Sequence, residues 1–285
     1  MVFITTATGQ IGSVAAAALV QRGIAVRGGS RDPHRVTTPG VEPVRFDFQE
    51  PATFDAALDG VTTVFVLTPP GFADALAVTG PFVKAAVARG LRIVTMTAAG
   101  VEYAPEAPMR KLELLAETSP GGFAHVRPSW FAQNFETFWK HGIVQSGVIA
   151  LPAGDAKTTF IDVRDIGEAA AAVLADPSTN GQAYRLTGPD ALTYAEAATI
   201  LSKASGRSIR YTAIDDAPFA AGLVSVGVPA DYAQLMVILF SAVRAGGAAE
   251  VDPTIERLIG RKPRSLEAYA TDHASQWAVL SGANA

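Results

Sequence analysis

The amino-terminal stretch constrains the fold of this chain more than any other segment. Residues 2–5 form an apolar, β-prone run, a short turn with Gly9 and Gly12 follows, and the alanine-rich run 13–22 comes next. This order predicts a strand, a tight turn and a helix, the opening βα unit of a nucleotide-binding sheet. Gly9 would let the main chain approach a pyrophosphate, and Gly12 would let the helix pack closely on its strand.

The start of that helix is where we expect a ligand. The first N–H groups of a helix have no intrahelical acceptor, and the helix dipole favours negative charge there. A dinucleotide diphosphate suits this position, although the usual fingerprint has a glycine where this chain has Thr6. A βα turn that binds nothing remains the alternative. The residues expected to contact the coenzyme at this turn are Thr6, Thr8, Gly9, Gln10, Ile11 and Gly12.

Apolar strand-like runs alternate with amphipathic helical runs through the first half of the chain. The alternation predicts an α/β fold, a Rossmann-type doubly wound parallel sheet with right-handed crossovers. Residues 1–134 are expected to form the dinucleotide-binding domain, with strands near 159–163 and 182–187 as further contributors. Residues 135–285 are expected to form mainly a smaller α+β lobe. No linker marks the boundary, so the sequence places it only roughly.

The end of the second predicted strand bears on the choice of coenzyme. The run 24–29 predicts that strand, and Ser30, Arg31 and Arg35 follow it. In the NAD-specific version of this fold, an acidic side chain near this strand end accepts a hydrogen bond from the ribose. Guanidinium groups instead suit a 2′-phosphate, so we expect NADP (NADPH). The alternative is that both arginines are ordinary surface residues around the turn at Pro33.

Three further strand ends would complete the coenzyme site. Predicted strands over 44–48, 61–67 and 91–97 end at the same edge of a parallel sheet, where ligands bind in open α/β folds. Asp47 is expected where the third strand would meet the adenine. The coenzyme contacts expected at these strand ends are Asp47, Phe48, Leu67, Thr68, Pro69, Thr97 and Ala98.

Composition argues against several classes of function. The net charge is −4, from 23 basic and 27 acidic residues, which provides no basic patch for nucleic acid or a membrane surface. The absence of cysteine excludes disulfides and thiol nucleophiles. Four histidines without i, i+4 spacing predict no metal site.

The sequence also lacks a targeting signal. It shows no signal peptide and no run of about 18 apolar residues, so we expect a soluble, cytoplasmic protein with a small-molecule substrate. The apolar face of 232–243 has helical spacing and predicts either core or a subunit contact, which leaves a homodimer open.

Five motifs, in order along nearly the whole chain, carry a family resemblance. They are Thr5–Gly12; Val126-Arg127-Pro128 with Trp130, Phe131 and Asn134; Asp162–Ile166; Leu186–Pro189; and Arg257–Pro263. Together they resemble NmrA-like atypical short-chain dehydrogenases/reductases, and they are most similar to bacterial NADPH:quinone oxidoreductases of the quinone oxidoreductase 2 type. The resemblance implies an NADP-binding Rossmann domain, a small substrate lobe and a nicotinamide in the cleft between them.

Within this resemblance, Trp130, Phe131 and Asn134 are the expected substrate contacts. Inter-lobe core is the alternative for the two aromatic residues, and a loop-tying role is the alternative for Asn134. The family contains enzymes and redox-sensing regulators, so both classes stay open. A biosynthetic reductase acting on an iminium or enone is a third possibility.

The catalytic residues are harder to place because the Tyr-x-x-x-Lys motif of the wider superfamily is absent. Tyr103 is followed four residues later by Ala107, and the nearest lysine is Lys111. Thr97 occupies the strand end where the superfamily has its serine. We expect Tyr103, Thr97 and Lys111 as catalytic candidates. A surface tyrosine, a plain strand threonine and a solvated lysine are the respective alternatives.

The missing acid favours one class of acceptor. Hydride addition to a ketone forms a strongly basic alkoxide that needs a placed proton donor, whereas a reduced quinone is a much weaker base that water can protonate. We therefore expect an NADPH-dependent oxidoreductase that transfers a hydride to a small, planar, electron-poor acceptor such as a quinone. An NADP(H)-sensing regulator without turnover is the main alternative.

Overall fold

A seven-stranded parallel sheet is the largest element of the computed structural model, which describes residues 1–278. The strands of the chain are β1 (Val2–Ile4), β2 (Val26–Ser30), β3 (Val41–Arg45), β4 (Thr63–Leu67), β5 (Arg92–Met96), β6 (Phe123–Pro128), β7 (Val148–Leu151), β8 (Lys157–Thr159), β9 (Gln182–Leu186), β10 (Ala191–Thr193) and β11 (Arg210–Ala213). The large sheet has the order β3-β2-β1-β4-β5-β6-β9. Every pairing in it is parallel, and the order reverses direction at β1, which confirms the predicted doubly wound α/β fold.

Helices alternate with these strands. They are α1 (Gln10–Gln21), α2 (Phe54–Leu58), α3 (Ala75–Ala88), α4 (Pro108–Glu117), α5 (Lys140–Ser146), α6 (Val163–Ala175), α7 (Tyr194–Ser205), α8 (Asp216–Ser225), α9 (Ala230–Arg244), α10 (Thr254–Ile259) and α11 (Leu266–Asp272). No helix among residues 1–278 has the length and apolar character needed to cross a membrane.

The chain forms two compact units, each built from several segments. The first unit comprises Met1–Pro128, Val163–Leu186 and Thr254–Arg261, and the second comprises Ser129–Asp162, Thr187–Pro253 and the segment that begins at Lys262. The expected division into 1–134 and 135–285 therefore differs from the division in the structure, because the chain returns to the first unit twice. Residues 279–285 of the expected second segment lie outside the described residues.

Two strand predictions need correction. The strand expected near 159–163 is β8, which ends at Thr159 and pairs antiparallel with β10 in a separate two-stranded sheet. The strand expected over 44–48 is β3, which ends at Arg45. The chain leaves the strand because it turns at Asp47, whose N–H donates to the Thr53 hydroxyl at 3.2 Å. The rings of Phe46 and Phe48 pack edge to face with each other and with Phe82, at centroid distances of 4.9 to 5.9 Å. By contrast, the strand expected over 182–187 is β9 and closes one edge of the large sheet.

Helix α6 returns to the first unit because a glycine lets it pack closely on α1. A Cβ atom on Gly167 would lie 2.6 Å from the Cβ of Val14 and 3.1 Å from the amide nitrogen of Ala15, so no larger residue fits at this crossing. The sequence also predicts Asp165 as the cap of this helix, which is wrong. The helix begins at Val163, and buried Asp165 instead accepts a hydrogen bond of 2.7 Å from Arg261.

The second unit has an aromatic core of its own. The ring of Tyr194 lies 5.5 Å from that of Trp139 and 5.2 Å from that of Phe160. Trp277 donates an indole N–H bond of 2.8 Å to the carbonyl of Phe135. The three-residue spacing of Thr193 and Glu196 predicts a capping box at the start of α7, and the structure has it: the two residues satisfy each other's backbone N–H groups.

Candidate functional site

Hydrogen bonds fix the turn between β1 and α1 to the end of the neighbouring strand β4. The Thr5 hydroxyl bonds both the amide nitrogen of Leu67, at 3.0 Å, and the carbonyl oxygen of Leu67, at 3.3 Å, which joins the ends of β1 and β4. The Gly9 N–H donates to the carbonyl of Thr6 at 3.0 Å and closes the turn. The carboxyl ends of two neighbouring strands and the start of α1 therefore form one rigid edge.

The two glycines of this turn have different structural roles. A Cβ atom on Gly12 would lie 2.1 Å from the carbonyl oxygen of Thr6, so the helix can begin here only with glycine at that position. A Cβ atom on Gly9 would meet no atoms within 4 Å except those of Thr6, so this side of the turn is open. Gly9 is also the N-cap, and it supplies no side-chain oxygen to the first turn of α1.

These features fit an anionic ligand. The first turn of α1 contains no acidic residue and no side-chain cap, so its N–H groups are left for an external acceptor. Thr6, Gly9 and the exposed residues Thr8 and Gln10 surround the opening, while Ile11 and Gly12 are buried and pack the helix. The structure thus brings together all six residues that we expect at a dinucleotide diphosphate.

The end of β2 presents two free guanidinium groups. Arg31 and Arg35 are exposed, and within residues 1–278 their guanidinium groups form no hydrogen bond or ion pair; the backbone N–H of Arg35 donates to the carbonyl of Asp32 at 3.1 Å. The nearby acidic residue, Asp32, is engaged in its own turn, where its carboxylate accepts the N–H of His34 at 3.1 Å. This arrangement suits a 2′-phosphate better than a ribose hydroxyl.

The ends of β3 and β4 contribute one carboxylate, that of Asp47, and several buried or half-buried apolar side chains. The Asp47 carboxylate accepts the N–H of Gln49 at 2.9 Å, and the Asp47 N–H donates to the hydroxyl of Thr53 at 3.2 Å. Phe48 is buried in the phenylalanine cluster of the core. Leu67 is buried as the last residue of β4, and Thr68 and Pro69 follow it half-buried.

A buried polar cluster lies beyond the end of β5. Thr97 is 5% exposed, and its hydroxyl donates a hydrogen bond of 2.6 Å to the carboxylate of Glu113 on α4. Arg127 on β6 donates a hydrogen bond to each oxygen of the same carboxylate, at 2.9 and 2.7 Å. Arg110 adds a bond of 2.8 Å. Ala98, the neighbouring coenzyme candidate, is half-buried.

Burial and charge act in opposite directions on this cluster. Burial alone would raise the pKa of Glu113, but hydrogen bonds from Arg127 and Thr97 and nearby positive charge hold that pKa below its ordinary value. Burial lowers the pKa of His125 despite the opposing charges of Glu113 and Glu117. The ring of His125 bonds the hydroxyl of Thr95 at 2.7 Å.

Three ligand-type groups of this cluster lie close together, but their partners do not favour a metal. One ligand atom each from Glu113, Glu117 and His125 lies within 4.8 Å of the others. Both oxygens of Glu113 already accept guanidinium N–H groups, and Arg110 also bonds Glu117 at 2.6 Å. Two fixed positive charges in contact with the carboxylates would repel a cation, so the cluster balances its own charge.

The other catalytic candidates lie apart from this cluster. Tyr103 is 80% exposed at the end of a 3₁₀ turn. Lys111 is exposed and pairs with Glu106 at 2.9 Å. Among residues 1–278, no hydrogen bond or ion pair joins Tyr103 or Lys111 to Thr97. The assignment of a catalytic role to any of the three stays a prediction.

The predicted substrate residues lie in the second unit and are half-buried. The ring of Trp130 stacks on that of Trp139 at 6.2 Å and packs on Phe240 at 4.8 Å, so much of it belongs to the aromatic core. Phe131 pairs with Ile161 in an isolated bridge. The loop-tying role considered for Asn134 is filled at least in part by main-chain contacts, since its carbonyl accepts the N–H of Trp139 at 3.0 Å.

Sequence reasoning missed the polar partners of Thr97. Glu113 stands on α4 between buried Leu112 and Ala116, and Arg127 stands between Val126 and Pro128 in a buried strand. A charge in an otherwise apolar strand and another on the buried face of a helix are a usable signal. The two must compensate each other, because a buried charge without a partner is very costly.

Comparison with known proteins agrees with this geometry. Residues 115–272 match the NmrA-like family, and residues 6–177 match an NAD(P)H-binding family. The chain is 34% identical to the uncharacterized oxidoreductase YesF of Bacillus subtilis, over 97% of this chain and 96% of that protein. It is 31% identical to an NAD(P)H azoreductase of Xenophilus azovorans, over 96% and 98% of the two chains. The structure resembles that of NADPH-dependent quinone oxidoreductase QOR2 of Escherichia coli in complex with NADPH, with a TM-score of 0.83, 25% identity and coverage of 95% and 99%.

Proposed function

Because this chain belongs to the NmrA-like family of NAD(P)H-binding proteins, we propose that it transfers a hydride from NADPH to a small, planar, electron-poor acceptor such as a quinone. The family resemblance drawn from the sequence is confirmed by these matches, and with it the class of NAD(P)H-dependent oxidoreductases. The preference for NADPH and the identity of the acceptor are the proposed parts.

The open, uncapped first turn of α1 is the observation that carries this proposal. It offers backbone N–H groups without an acidic neighbour, directly beside the ends of β1 and β4. Free Arg31 at the end of β2 supports NADPH over NADH, because a guanidinium fork matches a phosphate in geometry and charge. Thr97 and Ala98 follow β5, two inter-strand steps or roughly 10 Å from β1, and are assigned to the nicotinamide end.

When bound, NADPH would supply the hydride; the chain itself binds, orients and excludes water. The amides of 10–12 bind the diphosphate, Arg31 contacts the 2′-phosphate, and Thr97 faces the nicotinamide. Trp130 and Phe131 in the second unit have half-buried aromatic side chains, a type of surface on which a flat acceptor can stack. An azoreductase and a quinone oxidoreductase are among the proteins that this chain resembles, and azo compounds and quinones share a planar, electron-poor π-system.

Among residues 1–278, none of the three candidate proton donors is well placed, which supports a quinone over a ketone as the acceptor. Tyr103 is exposed, Lys111 is paired with Glu106, and the single proton of the Thr97 hydroxyl is engaged with Glu113. A quinone accepts the hydride to form a weakly basic hydroquinone anion, which takes its proton from solvent. Plain ketones would need a stronger and better placed donor, so we expect little or no turnover with them.

The test is NADPH oxidation with a panel of quinones, azo dyes and simple ketones. We expect turnover with quinones or azo compounds and none with ketones. Tight NADPH binding without turnover of any acceptor would instead favour a redox-sensing regulator. Calorimetry that finds no binding of any nicotinamide nucleotide would contradict both.

A further inference from the structure

The Thr97 hydroxyl has only one proton, and its surroundings decide where that proton points. The hydroxyl lies 2.6 Å from a carboxylate oxygen of Glu113, the usual length of a hydrogen bond from a hydroxyl to an ionised carboxylate. An ionised carboxylate can only accept hydrogen bonds. Thr97 must therefore donate to Glu113, which leaves only lone pairs of its oxygen for any other partner.

The ionised state of Glu113 is secured by two arginines. Arg127 on β6 donates two N–H groups and Arg110 on α4 donates one, so three guanidinium N–H groups bond the two carboxylate oxygens. Those hydrogen bonds and the nearby positive charge outweigh the effect of burial and keep the pKa of Glu113 below its ordinary value. The carboxylate has no freedom to rotate, since each oxygen is held by Arg127.

The backbone of Thr97 is fixed as well. Its N–H donates to the carbonyl of Val126 on β6 at 3.0 Å, which continues the sheet one residue beyond β5. The side chain therefore sits on a rigid strand end at the carboxyl edge of the sheet. Rigid elements hold a binding group in place more precisely than loops do.

We propose that Glu113 is a positioning residue that makes Thr97 a pure hydrogen-bond acceptor toward the coenzyme. The natural donor for it is the carboxamide NH₂ group of the nicotinamide. This inference rests on the proposed function and adds the direction of one hydrogen bond to it. Because Thr97 can only accept, it selects a pyridine substituent that carries N–H groups. Thr97 then never donates a proton to the reduced acceptor.

The test compares binding of NADPH with binding of its 3-acetylpyridine analogue, in which a methyl ketone replaces the carboxamide and no N–H remains. The variants are Thr97→Val, which removes the hydroxyl at constant shape, and Thr97→Ser, which retains it. We expect wild type and Thr97→Ser to prefer NADPH. Thr97→Val should reduce that preference about fivefold, the effect of one neutral hydrogen bond.

Glu113→Gln tests the positioning role. Arg127 would hold the amide oxygen and turn the amide NH₂ toward Thr97, whose proton would then point outward. We expect Glu113→Gln to reduce the preference for NADPH in the wild-type background and to have no further effect in the Thr97→Val background. A purely structural Glu113 would change the affinity for both dinucleotides equally in both backgrounds.

The outcomes separate this inference from the proposed function. If wild type binds neither dinucleotide, the proposed function fails. If wild type binds NADPH but Thr97→Val keeps the full preference, only the present inference is overturned. Should Glu113→Gln not fold, as judged by circular dichroism, the Val and Ser variants of Thr97 still decide whether Thr97 acts as the acceptor.

Discussion

Two of the largely buried arginines in the first unit lie on neighbouring strands, one at the amino end of β5 and one near the carboxyl end of β6. They differ in the groups to which they donate hydrogen bonds. Arg92 at the amino end of β5 donates to neutral groups that belong to and follow α6. They are the carbonyls of Val173, Leu174 and Asp176 and the side chains of Thr179 and Asn180, at 2.6 to 3.3 Å. Arg127 near the carboxyl end of β6 instead binds the carboxylate of Glu113.

The difference fits our proposal that the amino end of this strand pair stabilises the fold and that the carboxyl end belongs to the candidate site. Arg92 satisfies the last carbonyls of a helix and fixes α6 to the sheet, as a cation at a helix carboxyl end does. Glu113 and Arg127 neutralise each other and leave a polar hydroxyl, that of Thr97, at the sheet edge where open α/β folds bind ligands. The predictions below test this separation, from the largest expected effect to the smallest.

Arg92→Met should have the largest effect on stability and almost none on coenzyme binding. The change removes the guanidinium that donates to three carbonyls and two side chains, of which Val173, Leu174 and Thr179 are buried, so we expect a loss of about 3–4 kcal/mol in the free energy of unfolding. The affinity for NADPH should stay within twofold of wild type. Urea unfolding and calorimetric titration measure the two quantities.

Arg89→Met is the matched control, because it also removes an arginine from the first unit. Its ion pair with Asp55 lies on the surface, where such pairs contribute less than about 1 kcal/mol. A comparable loss in both variants would show that the buried cluster has no special role.

Arg31→Glu should affect the ligand and not the fold. Reversing the charge at the end of β2 is expected to weaken NADPH binding about 100-fold, or about 2.7 kcal/mol, and NADH binding by less than threefold. The control Arg22→Glu makes the same charge change at another exposed position of the first unit. An equal loss for both dinucleotides would remove the 2′-phosphate assignment.

Thr97→Val and Thr95→Val separate site from scaffold within one strand end. The Thr97 hydroxyl bonds Glu113 and the Thr95 hydroxyl bonds His125, and both hydroxyls are buried. Removing either should lower the free energy of unfolding by about 1 kcal/mol. Only Thr97→Val should change the preference for NADPH over its acetylpyridine analogue. The same change in preference for Thr95→Val would mean that general loosening, and not the Thr97 hydroxyl, is responsible.

Acid should weaken the carboxyl-end cluster. The pKa of Glu113 lies below its ordinary value of 4.5 and that of His125 below 6.5, so both groups stabilise the fold above those values. Their contributions are lost as the pH falls through the lower pKa values of the folded state. We expect the free energy of unfolding to decrease from pH 7 to pH 4 in wild type and Arg92→Met, and the part of this decrease between pH 5.5 and pH 4 to be smaller in Glu113→Gln.

Urea midpoints at pH 7, 5.5 and 4 measure this slope. Identical slopes in wild type and Glu113→Gln would assign the acid sensitivity to other groups.

Several elements of both units could be predicted because their signals are local. Gly9 and Gly12, the alternation of strands and helices, and the capping box at Thr193 each depend on residues close in sequence. The bounds of α9, Ala230–Arg244, also follow from the helical spacing of its apolar residues. The site at the first turn of α1 shares this advantage.

What the sequence does not predict depends on contacts between distant segments. No local pattern places β8 in a small sheet or returns α6 to α1, since Gly167 matters only through Val14. The pairing of Glu113 with Arg127 joins a helix to the next strand and requires the sheet register. Phe46 and Phe48 look like strand residues until the partner ring of Phe82 is known.

The discontinuous first unit has a consequence for synthesis on the ribosome. When residue 128 leaves the exit tunnel, β6 has an unpaired edge, and α1 lacks the helix that covers Val14. The missing strand β9 and helix α6 arrive more than 30 residues later, and Arg261, a partner of buried Asp165, arrives later still. The nascent segment is therefore open to wrong strand pairing until β9 has been made, and a gene fragment that stops after β6 would give an aggregating product instead of a minimal coenzyme-binding domain.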